Sequence, residues 1–117
     1  MSQSKRADCI FCKIVDKQMP AKVVHEDDRM IAFHDIQPKA KTHVLLIPKK
    51  HIESLADVSK EDVELMGELM IKIKEVAIEL GVEKSFNVVV NNGSLAGQII
   101  PHLHFHILSG WSGREKV

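Results

Sequence analysis

The segment Pro101-His102-Leu103-His104-Phe105-His106-Ile107-Leu108 alternates imidazole with apolar side chains at every step. Successive side chains on a strand point to opposite faces, so this pattern commits the segment to a strand with Leu103, Phe105 and Ile107 on one face. His102, His104 and His106 then form one row on the other. Imidazole titrates nearest neutrality, and such a row can act as base, nucleophile or metal ligand without drastic tuning. Three buried rings would need a polar partner for each nitrogen, which argues against a purely structural origin. Same-face positions lie about 6.5–7 Å apart along a strand, so two rings converge on one metal ion more easily than three. The row favours a division of labour, with His104 at the centre of the chemistry.

A chain of 117 residues suits a single domain with one core, spanning 1–117, with residues 1–8 and 111–117 as tails, the first of them flexible. Lys plus Arg and Asp plus Glu both number 16, for a net charge of zero. That balance argues against a broad electrostatic grip on nucleic acid or an anionic membrane. The polar start Met1 to Asp8 lacks the apolar stretch of a signal peptide, and no later run is long enough to span a bilayer. The expectation is a soluble cytoplasmic protein, with the nucleus also open if the source is eukaryotic. Both cysteines, Cys9 and Cys12, sit in one CxxC. In a reducing compartment this is a metal half-site, a redox pair or two small buried hydrophobes. The surroundings lack a thioredoxin-type context, and His51 and His102 are the natural candidates to complete a four-ligand site.

Cys9 to Val15 reads as a short helix ended before Met19-Pro20. Val23-Val24-His25-Glu26 and Met30-Ile31-Ala32-Phe33 read as strands joined by a polar turn at Asp27-Asp28-Arg29. His43-Val44-Leu45-Leu46-Ile47, closed by Pro48, has the pattern of a central strand with His43 at its mouth. The clearest helix spans Ser59 to Leu80: Ser59 and Asp62 form a variant capping box, Gly81 suits a left-handed end, and Met66, Leu69, Met70, Ile73, Val76, Ala77 and Leu80 recur at helical spacing. Its methionines are expected to fill the core or a dimer contact. Phe86 to Val90 is a further strand. The Gly/Asn loop Asn91 to Gln98 delivers the chain to the histidine strand, and Gly93 and Gly97 would let exposed amides form an anion nest there. Asp35, at the end of a strand in Phe33-His34-Asp35-Ile36, can accept both hydroxyls of a ribose while Phe33 and Ile36 sandwich a base.

Taken together, the histidine segment, Ile10-Phe11-Cys12-Lys13-Ile14, Ala32-Phe33-His34-Asp35-Ile36, His43-Val44-Leu45-Leu46-Ile47-Pro48-Lys49-Lys50-His51, Asn91-Asn92-Gly93 and Ala96-Gly97-Gln98 resemble the Hint branch of the histidine-triad (HIT) nucleotide hydrolases and transferases. The resemblance covers Cys9 to Gly110. It implies an α+β fold with a five-stranded antiparallel sheet, one long and one short helix, and a homodimer. It also implies that His104 attacks the α-phosphorus of a purine nucleoside monophosphate derivative and forms a covalent nucleotidyl-histidine. His106 would contact the substrate and His43 would support the network. Asn91 would be a polar contact to the substrate and the amides of Gly97, Gln98 and Ile99 would hold phosphate oxygens, while Asp35 binds the ribose and Phe33 and Ile36 line the base pocket. Ile99 stands where phosphoramidases of this kind often carry a serine, so a hydroxyl donor beside the phosphate is missing. The CxxC resembles a zinc-bearing subset, in which Cys9, Cys12, His51 and His102 hold a structural Zn²⁺. Two alternatives remain beside the phosphoramidase expectation: a dinucleoside polyphosphate hydrolase, and a zinc-stabilised dimeric adaptor with residual catalysis.

Overall fold

The computed structural model describes residues 6–110; residues 1–5 of the N-terminal tail and the tail 111–117 lie outside the described residues. Seven main elements follow one another: α1 (Ile10–Val15), β1 (Val23–Glu26), β2 (Met30–His34), β3 (Thr42–Pro48), α2 (Val63–Glu79), β4 (Asn87–Val89) and β5 (Phe105–Ser109). The strands form one antiparallel sheet in the order β1-β2-β3-β5-β4, the α+β architecture expected above. Asp27 makes the first turn tight, its Oδ1 accepting from the amides of Arg29 (2.8 Å) and Met30 (3.0 Å). α1 ends at Val15 rather than running on toward Met19, because Lys17 takes a left-handed φ of 64°. The Gln18 amide then bonds back to the Lys13 carbonyl at 2.8 Å, a Schellman-type stop.

The central strand β3 is buried on both faces, and its alternation sorts two cores. Val44 and Leu46, with Met30, Ala32, Leu103, Phe105 and Ile107, pack beneath Leu65, Leu69, Ile73 and Val76 of α2. On the opposite face Ile31, Phe33, Leu45 and Ile47 meet Cys9, Phe11, Cys12, Ile14 and Val15 of the α1 segment. The short helix thus roofs the face to which the histidines belong.

The ladder of β5 begins only at Phe105, so His102 and His104 stand outside it. Continuing the β3–β5 register would set Leu103 opposite Pro48, which has no N–H to share. The Leu103 amide instead donates to the Ile52 carbonyl at 2.6 Å. The alternation of faces survives, since Leu103 is fully buried in the α2 core. α2 itself begins at Val63, after a 3₁₀ turn at Lys60–Asp62. The capping contact is present: Asp62 Oδ2 accepts from the Ser59 amide at 3.0 Å. Met66 packs against the core, but Met70 is half exposed on the outer face with Val63, Ile71 and Ile78. β4 is shorter than Phe86 to Val90 and lies at the sheet edge.

Candidate active site and metal cluster

The two halves of the site meet where β2 ends and β3 begins. The Asp35 amide donates to the His43 carbonyl at 3.0 Å, which sets Asp35 beside His43. Leu45 pairs with His106 across β3 and β5, so His43 is its diagonal neighbour on the same face. Their ring centroids are 5.1 Å apart, and those of His104 and His106 are 4.9 Å apart.

Hydrogen bonds assign the ring protons. An amide N–H can only donate, and that of Lys39 reaches His43 Nδ1 at 3.0 Å. His43 in its neutral form therefore carries its proton on Nε2, which lies 2.9 Å from His106 Nδ1. His106 accepts there, and its own proton sits on Nε2, on the far side of the ring. A carbonyl can only accept, and His104 Nδ1 donates to the His102 carbonyl at 2.7 Å. Nε2 of His104 is left with a lone pair. His102 repeats this logic in reverse: Nε2 donates to the Pro48 carbonyl at 2.8 Å, freeing Nδ1.

Burial reinforces the neutral state of these rings. It pushes His104 and His43 below the ordinary imidazole value, although the Asp35 charge pulls both upward. His106 is pushed down to about 4 by burial first and then by its His104 and His43 neighbours. Phe11 seats the nucleophile candidate, its ring edge-on to His104 at 5.2 Å and to His102 at 5.9 Å.

His102 turns away from the other two triad members toward the cysteines. Its Nδ1 lies 3.4 Å from Cys9 Sγ and 3.6 Å from Cys12 Sγ, and His51 Nδ1 lies 3.2 Å from Cys12 Sγ. Ligand atoms around a tetrahedral ion with bonds of about 2.0–2.3 Å are separated by roughly 3.5 Å, so the four donors can hold a metal ion. His51 Nε2 is buried with no hydrogen-bond partner among the described residues. A strong bond at Nδ1 would offset that cost. Burial pushes the Cys12 thiol up to about 11, so a cation has to displace its proton to bind the sulfur.

Asp35, His43 and His106 also bring ligand atoms within 4.8 Å of one another, as do the four residues above. Hydrogen bonding separates the two clusters. With the Lys39 amide on Nδ1, a metal at His43 Nε2 would require an imidazolate, whereas His102 offers a lone pair at Nδ1.

Several expected substrate residues have other partners. Phe33 is buried edge-on to Phe11 at 5.5 Å, so it does not face Ile36, which is almost fully exposed, across an open base pocket. The reason is parity: Phe33 points to the α1 face of the sheet. Gln98 ties its loop to the segment after β3, Oε1 accepting from the Gly93 amide at 2.7 Å and Nε2 donating to the Glu53 carbonyl at 2.6 Å. The Gly97 and Gln98 amides bond to the Ser94 and Gly93 carbonyls, so the nest is closed at those two positions and Ile99 carries the remaining amide of the trio. Asn91 Nδ2 braces the same loop on the Ala96 carbonyl at 2.9 Å. Conversely, the Lys39 amide and the Pro48 carbonyl carry no side-chain signal and were not legible in advance. Phe11 had one signal, its place inside the CxxC.

A sequence model described as the HIT domain matches residues 16–113. The chain belongs to the HIT family. It is 50% identical to an uncharacterized HIT-like protein of Synechocystis sp. over 103 residues, covering 88% of this chain and 90% of the relative. It is 46% identical to protein HitA of Neisseria gonorrhoeae over 101 residues, covering 86% and 94%. Among solved structures, a histidine triad protein from Clostridium difficile superposes with a TM-score of 0.89 at 40% identity, covering 97% of this chain and 100% of that one. A HIT family hydrolase from Legionella pneumophila gives 0.85 at 41%, covering 94% and 96%. Cys9 and Cys12 precede the matched HIT segment, so the metal cluster is argued from geometry and not from the family match.

The depressed imidazoles of this HIT domain tie stability to pH. His106 binds its proton near 4 when folded but near 6.5 when unfolded, so the unfolded chain takes up protons first as pH falls. Stability is expected to be full above about pH 6.5 and to decline toward pH 4. Urea midpoints across that range should fall, and His106→Asn should flatten the slope; an unchanged midpoint from pH 7 to 5 would contradict the assignment.

Proposed function

We propose that this protein is a nucleotide hydrolase or transferase of the purine nucleoside phosphoramidase type, acting at the α-phosphate of phosphoramidates or related adenylates. The observation that carries this is the tautomer of His104: with Nδ1–H held by the His102 carbonyl, the lone pair lies on Nε2. That nitrogen attacks the α-phosphorus, forming a P–N bond as the bond to the leaving group breaks. Water then cleaves the nucleotidyl-histidine, restoring the ring. Covalent catalysis splits one difficult displacement into two easier ones. His106 donates a hydrogen bond from Nε2 to a phosphoryl oxygen or to the departing atom, which takes its proton from water, and His43 supplies the orientation of the ring. In the same reading Asp35 takes the ribose, Ile36 borders the base, and the Ile99 amide, on the loop that Asn91 braces, faces the phosphate. Ile99, almost fully exposed, offers no hydroxyl to the leaving group.

Two further assignments accompany the chemistry. The metal of Cys9, Cys12, His51 and His102 is zinc, since a two-thiolate, two-imidazole set with short tetrahedral edges suits that ion, and its part is structural. A second copy of this chain covers the outer face of α2, where Val63, Met70, Ile71 and Ile78 are exposed, together with Val88 on the edge strand β4. No helix among the described residues is long and apolar enough to cross a membrane.

Mass spectrometry of protein quenched during turnover of an adenosine phosphoramidate should show a nucleoside monophosphate adduct on His104. His104→Ala should abolish turnover, by at least about 10³-fold for loss of a nucleophile, while still binding nucleotide; full activity in that variant refutes the mechanism. Relative kcat/KM for a dinucleoside triphosphate separates the polyphosphate hydrolase alternative. Elemental analysis of protein purified reduced and without chelator should find about one zinc per chain. Its absence would refute the metal assignment. Sedimentation should give a dimer that Met70→Glu dissociates, and a wild-type monomer at micromolar concentration would contradict the pairing.

A further inference from the structure

Asp35 belongs to two settings at once. Its Oδ2 lies 3.4 Å from His43 Nε2, the atom whose proton also faces His106 Nδ1 at 2.9 Å. Its Oδ1 accepts from the Gln37 amide at 2.8 Å, which holds the carboxylate in place. The same side chain lines an open cleft of about 620 Å³ together with Pro20, Ala21, Lys22, His34 and Ile36. The proton on this buried ring is hydrogen-bonded to His106 and also lies near the Asp35 carboxylate, and that carboxylate is within reach of whatever fills the cleft.

We propose that Asp35 is a positioning residue that couples a vicinal diol in this cleft to the His43–His106 pair. Hydroxyls of a sugar donate to the free lone pairs of the carboxylate and disperse its charge, which weakens its pull on the His43 Nε2–H. The proton is then given wholly to His106 Nδ1, and His106 is held with Nε2–H aimed away from His43. A ribose in the cleft thus aligns the group that serves the phosphate. The proposal rests on the nucleotidyl-transfer reading of the site and adds to it that the sugar hydroxyls are felt in the chemical step. Interactions that align the transition state act on kcat, whereas uniform binding acts on KM.

Two measurements on the full-length protein test this. In steady-state kinetics, replacing an adenosine phosphoramidate by its 2′,3′-dideoxy analogue should lower kcat about tenfold, the worth of one aligned hydrogen bond, beyond any rise in KM. In Asp35→Asn the two substrates should share a similar, reduced kcat. Separately, nitrogen-15 spectra of the histidine rings should show His43 Nε2 and His106 Nδ1 shifting on saturation with adenosine and not with 2′,3′-dideoxyadenosine. Asp35→Asn, checked as folded by its amide spectrum, should lose that difference. Equal kcat for the two substrates, or ring signals that do not distinguish the two bound nucleosides, overturns the coupling and leaves the nucleotide reading standing. Failure of both nucleosides to bind, with no turnover, overturns the nucleotide reading and this proposal with it.

Discussion

The site depends on one hydrogen bond from the main chain, the Lys39 amide to His43 Nδ1. A ring with its Nδ1 engaged by an N–H donor has only one place for its proton, and from that point each following nitrogen is determined in turn: His43 Nε2 donates, His106 Nδ1 accepts, and His106 Nε2 donates outward. The His102 carbonyl performs the same service for His104 and leaves its Nε2 free. Main-chain groups hold their protons at any pH of interest, so two chemically similar rings acquire opposite roles without needing opposite charges. The burial that lowers their basicity keeps both rings neutral where those roles matter.

His102 links the two centres of this face. Its side chain looks toward Cys9 and Cys12, while its carbonyl holds His104. The α1 segment contributes both cysteines and, between them, Phe11, whose ring abuts His102 and His104. The roof over the histidine face therefore also supplies half of the four donors that could hold a metal ion. A short helix of six residues would hold its place weakly by itself. Here it is packed on Ile31, Phe33, Leu45 and Ile47, and its two sulfurs lie against the His102 and His51 rings.

The opposite face of the sheet is simpler in its physics. α2 lays Leu65, Leu69, Ile73 and Val76 over a continuous apolar surface, with buried Leu103, Phe105 and Ile107 beneath. The polar face is thus backed by a dense layer that gives the strands no freedom to shift register, since a slip of one residue would send the histidines into the α2 core. That constraint lets His106 and His43 stay within hydrogen-bond distance across a diagonal.

Alternation in residues 102 to 108 was enough to sort the faces of the last strand, because side-chain direction follows from backbone geometry alone. The central position of β3, the capping contact of Ser59 with Asp62 and the pairing of Cys9 and Cys12 with His51 and His102 were readable from residue type and spacing. Other features depended on what lay across space. The β3–β5 ladder ended at Leu46 and Phe105, short of the first two histidines, where a continued register would have met the N–H-less Pro48. Parity in β2 turned Phe33 into the core, where Phe11 met it. The Gly97 and Gln98 amides went to the loop's own carbonyls, and the Gln98 side chain to the Glu53 carbonyl, rather than to an open nest. Sequence by itself determined which groups share a face; only the tertiary structure decided which nitrogen of each ring carries the proton. That choice belongs to the Lys39 amide and to the Pro48 and His102 carbonyls, main-chain groups present at almost every position and given meaning only by where the fold brings them.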